Sequence, residues 1–244
     1  MNTKIPLERC HNFIHCQLQA PQAVSHYPPE DPACRVVTIS RQTGSGGHAV
    51  AERLADILQA RSPEHSCHWT VFDRNLVETV LSDHHLPSRL AQFMPEDRIS
   101  EVSDTMDELF GLHPPSWELV RKTAETILHL ADMGRVILLG RAANLITARL
   151  PHVFNVRLVG SLEKRVEYVV KTANLAPAEA RHRVQEEDAG RKRYLKKYFG
   201  KDIDDPLLYH MVLNTDVLSH ADAARIIADA AMPVSEAVPF GVAG

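Results

Sequence analysis

The segment Val36-Val37-Thr38-Ile39-Ser40-Arg41-Gln42-Thr43-Gly44-Ser45-Gly46-Gly47-His48-Ala49-Val50-Ala51 constrains this chain more than any other. A β-branched apolar run enters a glycine-rich turn and leaves into a helical pattern. Glycine lets the backbone come close to an anion. The N-terminus of the following helix offers unpaired N–H groups and the positive end of its dipole. This is the layout of a phosphate-binding loop, with Gly44, Ser45, Gly46, Gly47 and His48 as its candidate phosphate-binding residues. Two parts of the full pattern G-x-x-x-x-G-K-[S/T] are missing. With Gly44 and Gly46 in the loop, Gly47 stands where the lysine belongs, and His48 and Ala49 follow where a hydroxyl belongs. The backbone can still cradle phosphates, but position 47 places no ammonium on them.

Alternating elements surround this segment. Val36 to Ile39 read as the first buried strand. A helix follows from about His48 to Ala60, with Val50, Leu54, Ile57 and Leu58 on one face. Trp69 to Phe72 form a short second strand ending at Asp73. Residues 74 to 133 read as helical; Pro114 and Pro115 open the last of these helices and Gly134 ends it. Val136 to Leu139 are an uninterrupted apolar run, as expected of a parallel strand buried on both faces, and Val153 to Val159 read as a fourth strand. Helices follow from Ser161 and from Pro177. His210 to Leu213 make a fifth strand, and a last amphipathic helix carries Ala223, Ile226, Ile227 and Ala230. Strands alternating with helices predict an α/β fold with a parallel sheet covered on both faces. Ligands of such sheets bind at the carboxyl ends of the strands. The loop, Asp73 and Gly140-Arg141 then share one edge, where an arginine can clamp a phosphate bidentately.

Residues 34–232 are the expected domain. Residues 1–33, broken by Pro21, Pro28, Pro29 and Pro32, read as a flexible leader, and 233–244 as a disordered tail. A length of 244 residues with 44% apolar content supports one large core. The net charge of −4 argues against a broad nucleic-acid surface. No apolar run is long enough to span a bilayer, and Met1 to Arg9 lack a secretory layout, so a cytoplasmic protein without a membrane partner is expected. Cys10, Cys16, Cys34 and Cys67 form no CxxC pair, and a domain of this size needs no staples. Cys10, His11, His15 and Cys16 cluster in the leader. They read as soft side chains there rather than as a metal site, and the metal ligands stay unassigned.

A second rich segment runs from Glu186 to Gly200. Asp188 and Arg191, three apart, share a helix face. The basic residues after them can neutralise phosphates in a closing lid. Gly190 inside the run suggests a special local conformation.

Five motifs now stand in order: Ile39-Ser40-Arg41-Gln42-x-Gly44-Ser45-Gly46-Gly47; Phe72-Asp73-Arg74-x-Leu76-Val77; Gly140-Arg141-Ala142-Ala143; Asp188-x-x-Arg191-x-x-Tyr194-x-x-x-Tyr198-x-Gly200; and Asn214-Thr215. Together they resemble the cytidylate kinase-like family from about residue 35 to 230. The resemblance implies the nucleoside-monophosphate kinase version of the P-loop NTPase fold. That fold is a five-stranded parallel sheet in order 2-3-1-4-5 flanked by helices, with a helical monophosphate-binding region and a lid. It implies ATP as phosphoryl donor, a nucleoside monophosphate (CMP-like) or related small molecule as acceptor, and Mg2+ if the chain is enzymatic. Compared with authentic cytidylate kinases, Gly47 replaces the loop lysine, Ala142 an aspartate that helps bind the nucleotide, and Leu139 an acidic residue.

On this reading Arg41, Arg141, Asp188 and Arg191 are the catalytic candidates. Asp73, Arg141, Asp188 and Arg191 are the candidate acceptor ligands. Arg41, at the start of the loop, is the candidate substitute for the lysine. Ser45 and Asp73 are alternative magnesium ligands. Two functions remain: an ATP-dependent phosphotransferase, or a nucleotide-binding regulatory or partner-binding module that has lost kinase chemistry. A homodimer is compatible with either.

Overall fold

The computed structural model describes residues 12, 13, 16, 36–63, 66–73 and 116–232. Strands β1 (Val36–Arg41), β2 (Thr70–Phe72), β3 (Val136–Leu139), β4 (Val153–Val159) and β5 (Met211–Asn214) form one sheet in the order β2-β3-β1-β4-β5. Every pairing is parallel, and Val36 of the central strand lies opposite both Val136 and Val153. The helices are α1 (Gly47–Ala60), α2 (Ser116–Met133), α3 (Ala143–Ile146), α4 (Leu162–Ala173), α5 (Pro177–Phe199) and α6 (His220–Ala231). The expected fold class and strand order are those observed.

Period-two alternation divides the strands between two cores. On one face Val37, Ile39, Ile137, Leu139, Val156 and Leu158 pack with Val50, Leu54 and Leu58 of α1 and Ile227 of α6. On the other, Val36, Phe72, Leu138 and Val153 pack with Ile127 and Leu130 of α2. Part of this second face turns polar. Thr38 Oγ1 donates to Asn155 Oδ1 at 2.6 Å, and Arg157 Nη1 donates to Ser40 Oγ at 3.0 Å. The polar strip runs along β1 and β4 toward their carboxyl ends.

Local chemistry sets the helix boundaries. Ser161 and Ser219 accept N–H groups of the first turns of α4 and α6, as N-cap residues do. Pro177 opens α5, where a missing N–H costs no hydrogen bond. Gly134 follows α2 with φ 73, and its N–H donates to the Leu130 and Ala131 carbonyls at 3.2 Å.

Some expectations need correction. Strand β2 begins at Thr70 rather than Trp69, and β5 runs from Met211 to Asn214. Gly190 passes through α5 as an ordinary helical residue, with open space where a Cβ would stand. The expected helices between 74 and 115 and the tail from 233 lie outside the described residues.

The amino-terminal segment brings two findings. Phe13 is 2% exposed and sits in the α2-side core, its ring edge-on to Phe72 with centroids 5.5 Å apart. Cys16 is disulfide-bonded to Cys67. The leader therefore contributes to the core at Phe13, and a staple is present although the size of the domain does not demand one. Cys16 has no thiolate to offer a metal. Cys10, His11 and His15 lie outside the described residues. Among the described residues no group of three metal-binding side chains occurs, and no helix is long and apolar enough to cross a membrane.

Phe13→Ala is expected to cost about 3–5 kcal/mol, the range for truncating a buried aromatic. Removing residues 1–33 is expected to cost more. It also opens a covalent loop spanning 51 residues, worth about 4 kcal/mol on loop-entropy grounds. Urea midpoints measured with and without reductant test both. A Phe13→Ala midpoint equal to that of the wild type would exclude Phe13 from the core.

Candidate functional site

The loop after β1 is clamped from below by Arg165 of α4. Its Nε donates to Gly160 O at 2.9 Å, and its Nη1 donates to Thr43 O at 2.9 Å and to Asp188 Oδ2 at 2.6 Å. Gln42 Oε1 accepts the Gly160 N–H at 2.9 Å, and the Ser45 hydroxyl donates back to Gln42 O at 2.8 Å. Gly44 has φ +84, and a Cβ there would run into the Arg165 backbone, so this turn requires glycine. The first-turn amides of α1, at Gly47 and His48, have no carbonyl within the helix to bond. They form the helical end of the loop, with the unpaired N–H groups that suit an anion.

Arg41 fills space that two glycines leave open. A Cβ on Gly47 would lie 3.0 Å from Arg41 Cγ, and one on Gly140 (φ +84) would collide with Arg41 Nη1. The side chain thus turns back across the helical exit of the loop to the end of β3. Burial first, then the neighbouring Arg191 guanidinium, pushes the Arg41 pKa down to about 10. Asp73 and Glu187 offset this in part, and Arg141 adds to it. Arg41 stays charged at neutral pH, and its guanidinium has neither a hydrogen bond nor an ion pair with any described residue. Arg191 and Arg141 are therefore close enough to disfavour the charge on Arg41 at one side of the loop.

Helix α5 covers the loop at Thr43. The Thr43 N–H donates to Asp188 Oδ1 at 2.7 Å, and Thr43 Oγ1 lies 3.0 Å from Glu187 Oε2. Arg191 Nη1 donates to Thr43 Oγ1 at 2.6 Å and to Asp188 Oδ1 at 2.8 Å, while its Nη2 donates to Glu187 Oε2 at 3.1 Å. The shared face of Asp188 and Arg191 is thus the face turned to the loop. Burial pushes the Glu187 carboxyl up, but hydrogen bonds from Arg183 and Thr43 and the Arg191 charge outweigh it and hold the group below its ordinary value.

Asp73, 6% exposed at the end of β2, lies on the other side, with His48 Nε2 3.8 Å from its Oδ2. Arg141 and Ala142 follow β3 with φ 55 and 57, a conformation that non-glycine residues rarely adopt. The loop, Asp73, Arg41, Arg141, Asp188 and Arg191 thus gather at one sheet edge.

Sequence reasoning missed Thr43, Arg157, Arg165 and Glu187. Arg157 had a signal: it is a lone charge, two residues after Asn155, in the otherwise apolar run Val153–Val159. Arg165 and Glu187 had none, because each reads as one more charge on a solvated helix.

His48, His129 and His220 all have lowered pKa values, with burial as the first cause; nearby Arg41 adds to it at His48 and Arg53 at His220. Just below the ordinary histidine value of about 6.5 the unfolded chain binds protons at these sites that the folded chain does not. Unfolding then takes up protons, so stability falls as pH drops through that range. A lower urea midpoint at pH about 5.5 than at about 7.5 is expected. His129→Gln, on α2, should remove part of the difference. Equal midpoints at the two pH values would contradict this.

The family model described as the cytidylate kinase-like family matches residues 36–217. A cytidylate kinase of Methanopyrus kandleri is 29% identical over 209 residues, spanning 82% of this chain and 95% of that protein. The crystal structure of an uncharacterized protein from Eubacterium ventriosum has a TM-score of 0.59 at 18% identity, covering 80% of this chain and 97% of that one. A gluconokinase from Sinorhizobium meliloti has a TM-score of 0.38 at 13% identity, covering 80% and 89%.

Proposed function

The chain belongs to the cytidylate kinase-like family, and we propose that it is an ATP-dependent phosphotransferase acting on a nucleoside monophosphate of the CMP type or a related small acceptor. The observation that carries this reading is the seat of Arg41. A half-buried cation sits between Gly47 and Gly140, beside two further guanidiniums and a glycine-rich loop. Such an arrangement is unfavourable by itself and becomes favourable when an anion joins it.

The loop amides hold the ATP phosphates. Arg41 supplies, from the start of the loop, the charge that the lysine would supply from position 47. Arg141 approaches from the end of β3 and Arg191 from α5, so charge developing on the transferred phosphoryl group meets cations on several sides. Asp188 orients Arg191 and Arg165 and, with Asp73, faces the acceptor. The acceptor oxygen attacks the terminal phosphorus in line, the bond to the ADP oxygen breaks, and no covalent enzyme intermediate forms.

Asp73 would be the protein carboxylate that holds a magnesium ion, whereas the Ser45 hydroxyl is engaged in donating to Gln42 O. When bound, that ion adds charge neutralisation to the arginines. The regulatory-module alternative rests on Gly47 and Ala142. The retained guanidinium cluster weighs against it.

Incubating the full-length protein with Mg-ATP and a panel of monophosphates is expected to produce ADP and the matching diphosphate, CDP foremost. ATP binding without turnover of any acceptor would overturn the enzymatic reading.

A further inference from the structure

A cavity of about 140 Å3 lies between the start of the loop and α5, bordered by Arg41, Arg157, Asp188, Arg191, Lys192 and Asp204. Four cations thus face two carboxylates. Both carboxylates are already engaged: Asp188 by Arg165 at 2.6 Å and Arg191 at 2.8 Å, Asp204 by Arg157 at 2.7 Å and Lys192 at 3.0 Å. The volume is below the roughly 300–1,000 Å3 that whole small-molecule ligands occupy. It suits one charged group rather than a nucleoside.

Arg157 is the unusual member. Its side chain is 5% exposed, on a strand otherwise built of apolar residues and one asparagine. Nη1 donates to Ser40 Oγ at 3.0 Å, Nη2 donates to Asp204 Oδ1 at 2.7 Å, and the guanidinium lies 5.6 Å from the centre of the Tyr209 ring. Burying a guanidinium, here against an Asp204 carboxylate that is itself about half exposed, is a poor way to stabilise a core, since well-packed apolar residues do as well or better. The planar fork of arginine does suit a phosphate, and two of its five N–H groups satisfy the acceptors named above.

We propose that this cavity is an anion subsite that binds a single phosphate group, with Arg157 as its floor and Arg41 and Arg191 beside it. Under the phosphotransferase reading, on which only this assignment of source rests, the group is the phosphate of the acceptor, and the donor phosphates lie on the loop amides. Arg41 borders both places and joins them. Free inorganic phosphate has the same chemistry, so the test separates the two sources.

Calorimetric titration of the full-length protein with inorganic phosphate, without nucleotide, is expected to show saturable binding at one site. Arg157→Gln should weaken it about tenfold, and Arg157→Lys, which keeps the charge without the fork, should weaken it less. ATP affinity should change by less than about twofold in both variants. Competition between CMP and phosphate would support the site with the acceptor as source. Simultaneous binding of both, with phosphate still dependent on Arg157, would support it with free phosphate as source. Should Arg157→Gln fail to fold by circular dichroism, Lys192→Gln on the exposed rim carries the test, with an expected weakening of about threefold. Phosphate affinity unchanged in whichever variant folds, or no phosphate binding by the wild type, would overturn the subsite. Because binding is read without turnover, an inactive protein that holds phosphate through Arg157 would defeat the kinase reading alone. An active enzyme indifferent to Arg157 in phosphate binding would defeat the subsite alone.

Discussion

Arg41→Gln is expected to lower kcat for phosphoryl transfer by about 10³-fold, the scale on which removing a transition-state guanidinium acts. The thermal midpoint should hold or rise, because the variant removes a half-buried charge that desolvation and Arg191 disfavour. The more discriminating result comes from exchanging positions. Gly47→Lys alone should impair the enzyme, since its Cβ would stand 3.0 Å from Arg41 Cγ and crowd the arginine out of place. Arg41→Gly alone should lose about as much as Arg41→Gln. Combined, the two changes move the cation from one side of the loop to the other. The double variant should recover at least about tenfold over either single one, a coupling that independent sites do not show. Simple addition of the two losses would refute the idea that Arg41 stands in for the lysine.

Arg191→Ala is expected to cost about 10²-fold in kcat with a small change in thermal midpoint. The residue contacts Thr43, Asp188 and Glu187, yet it is 26% exposed, so solvent screening limits what those pairs add to stability. Asp188 keeps Arg165 as a partner in the variant, which preserves the clamp under the loop. Arg191→Lys should recover little, because one ammonium cannot span the three acceptors that the guanidinium reaches. An unchanged kcat would reduce Arg191 to a latch between α5 and the loop. A large drop in midpoint would make it structural.

Much of this architecture was legible because it is written locally. The apolar runs at Val136–Leu139 and Val153–Val159 appear as strands with those bounds, and the glycine loop joins strand to helix as its composition requires. The Asp188–Arg191 pair follows from helical spacing alone. What was illegible depends on distant partners. Thr43 meets Glu187 and Asp188 across 144 and 145 residues of sequence. Phe13 finds Phe72, and Cys16 finds Cys67, with no periodicity to announce either contact. Gly47 read as a loss from the phosphate-binding pattern. In the fold it is half of the space that Arg41 occupies, and the other half is Gly140, on another strand end. A substitution seen alone looks like damage; its complement becomes visible only when the sheet brings both to one edge.

The central position of β1 has a consequence for synthesis. Strand β1 leaves the ribosome before its partners β3 and β4, so Val36 waits for Val136 and Val153. At roughly 5–20 residues per second, the nascent chain holds this apolar strand without β3 for roughly 5–20 s and without β4 for roughly 6–24 s. Packing of Val37 and Ile39 on α1 is available sooner, but both strand pairings of β1 are long-range and must wait. Changes that make residues 36–40 more apolar would therefore reduce the yield of folded protein, through strand association between nascent chains, before they altered the stability of molecules that had finished folding.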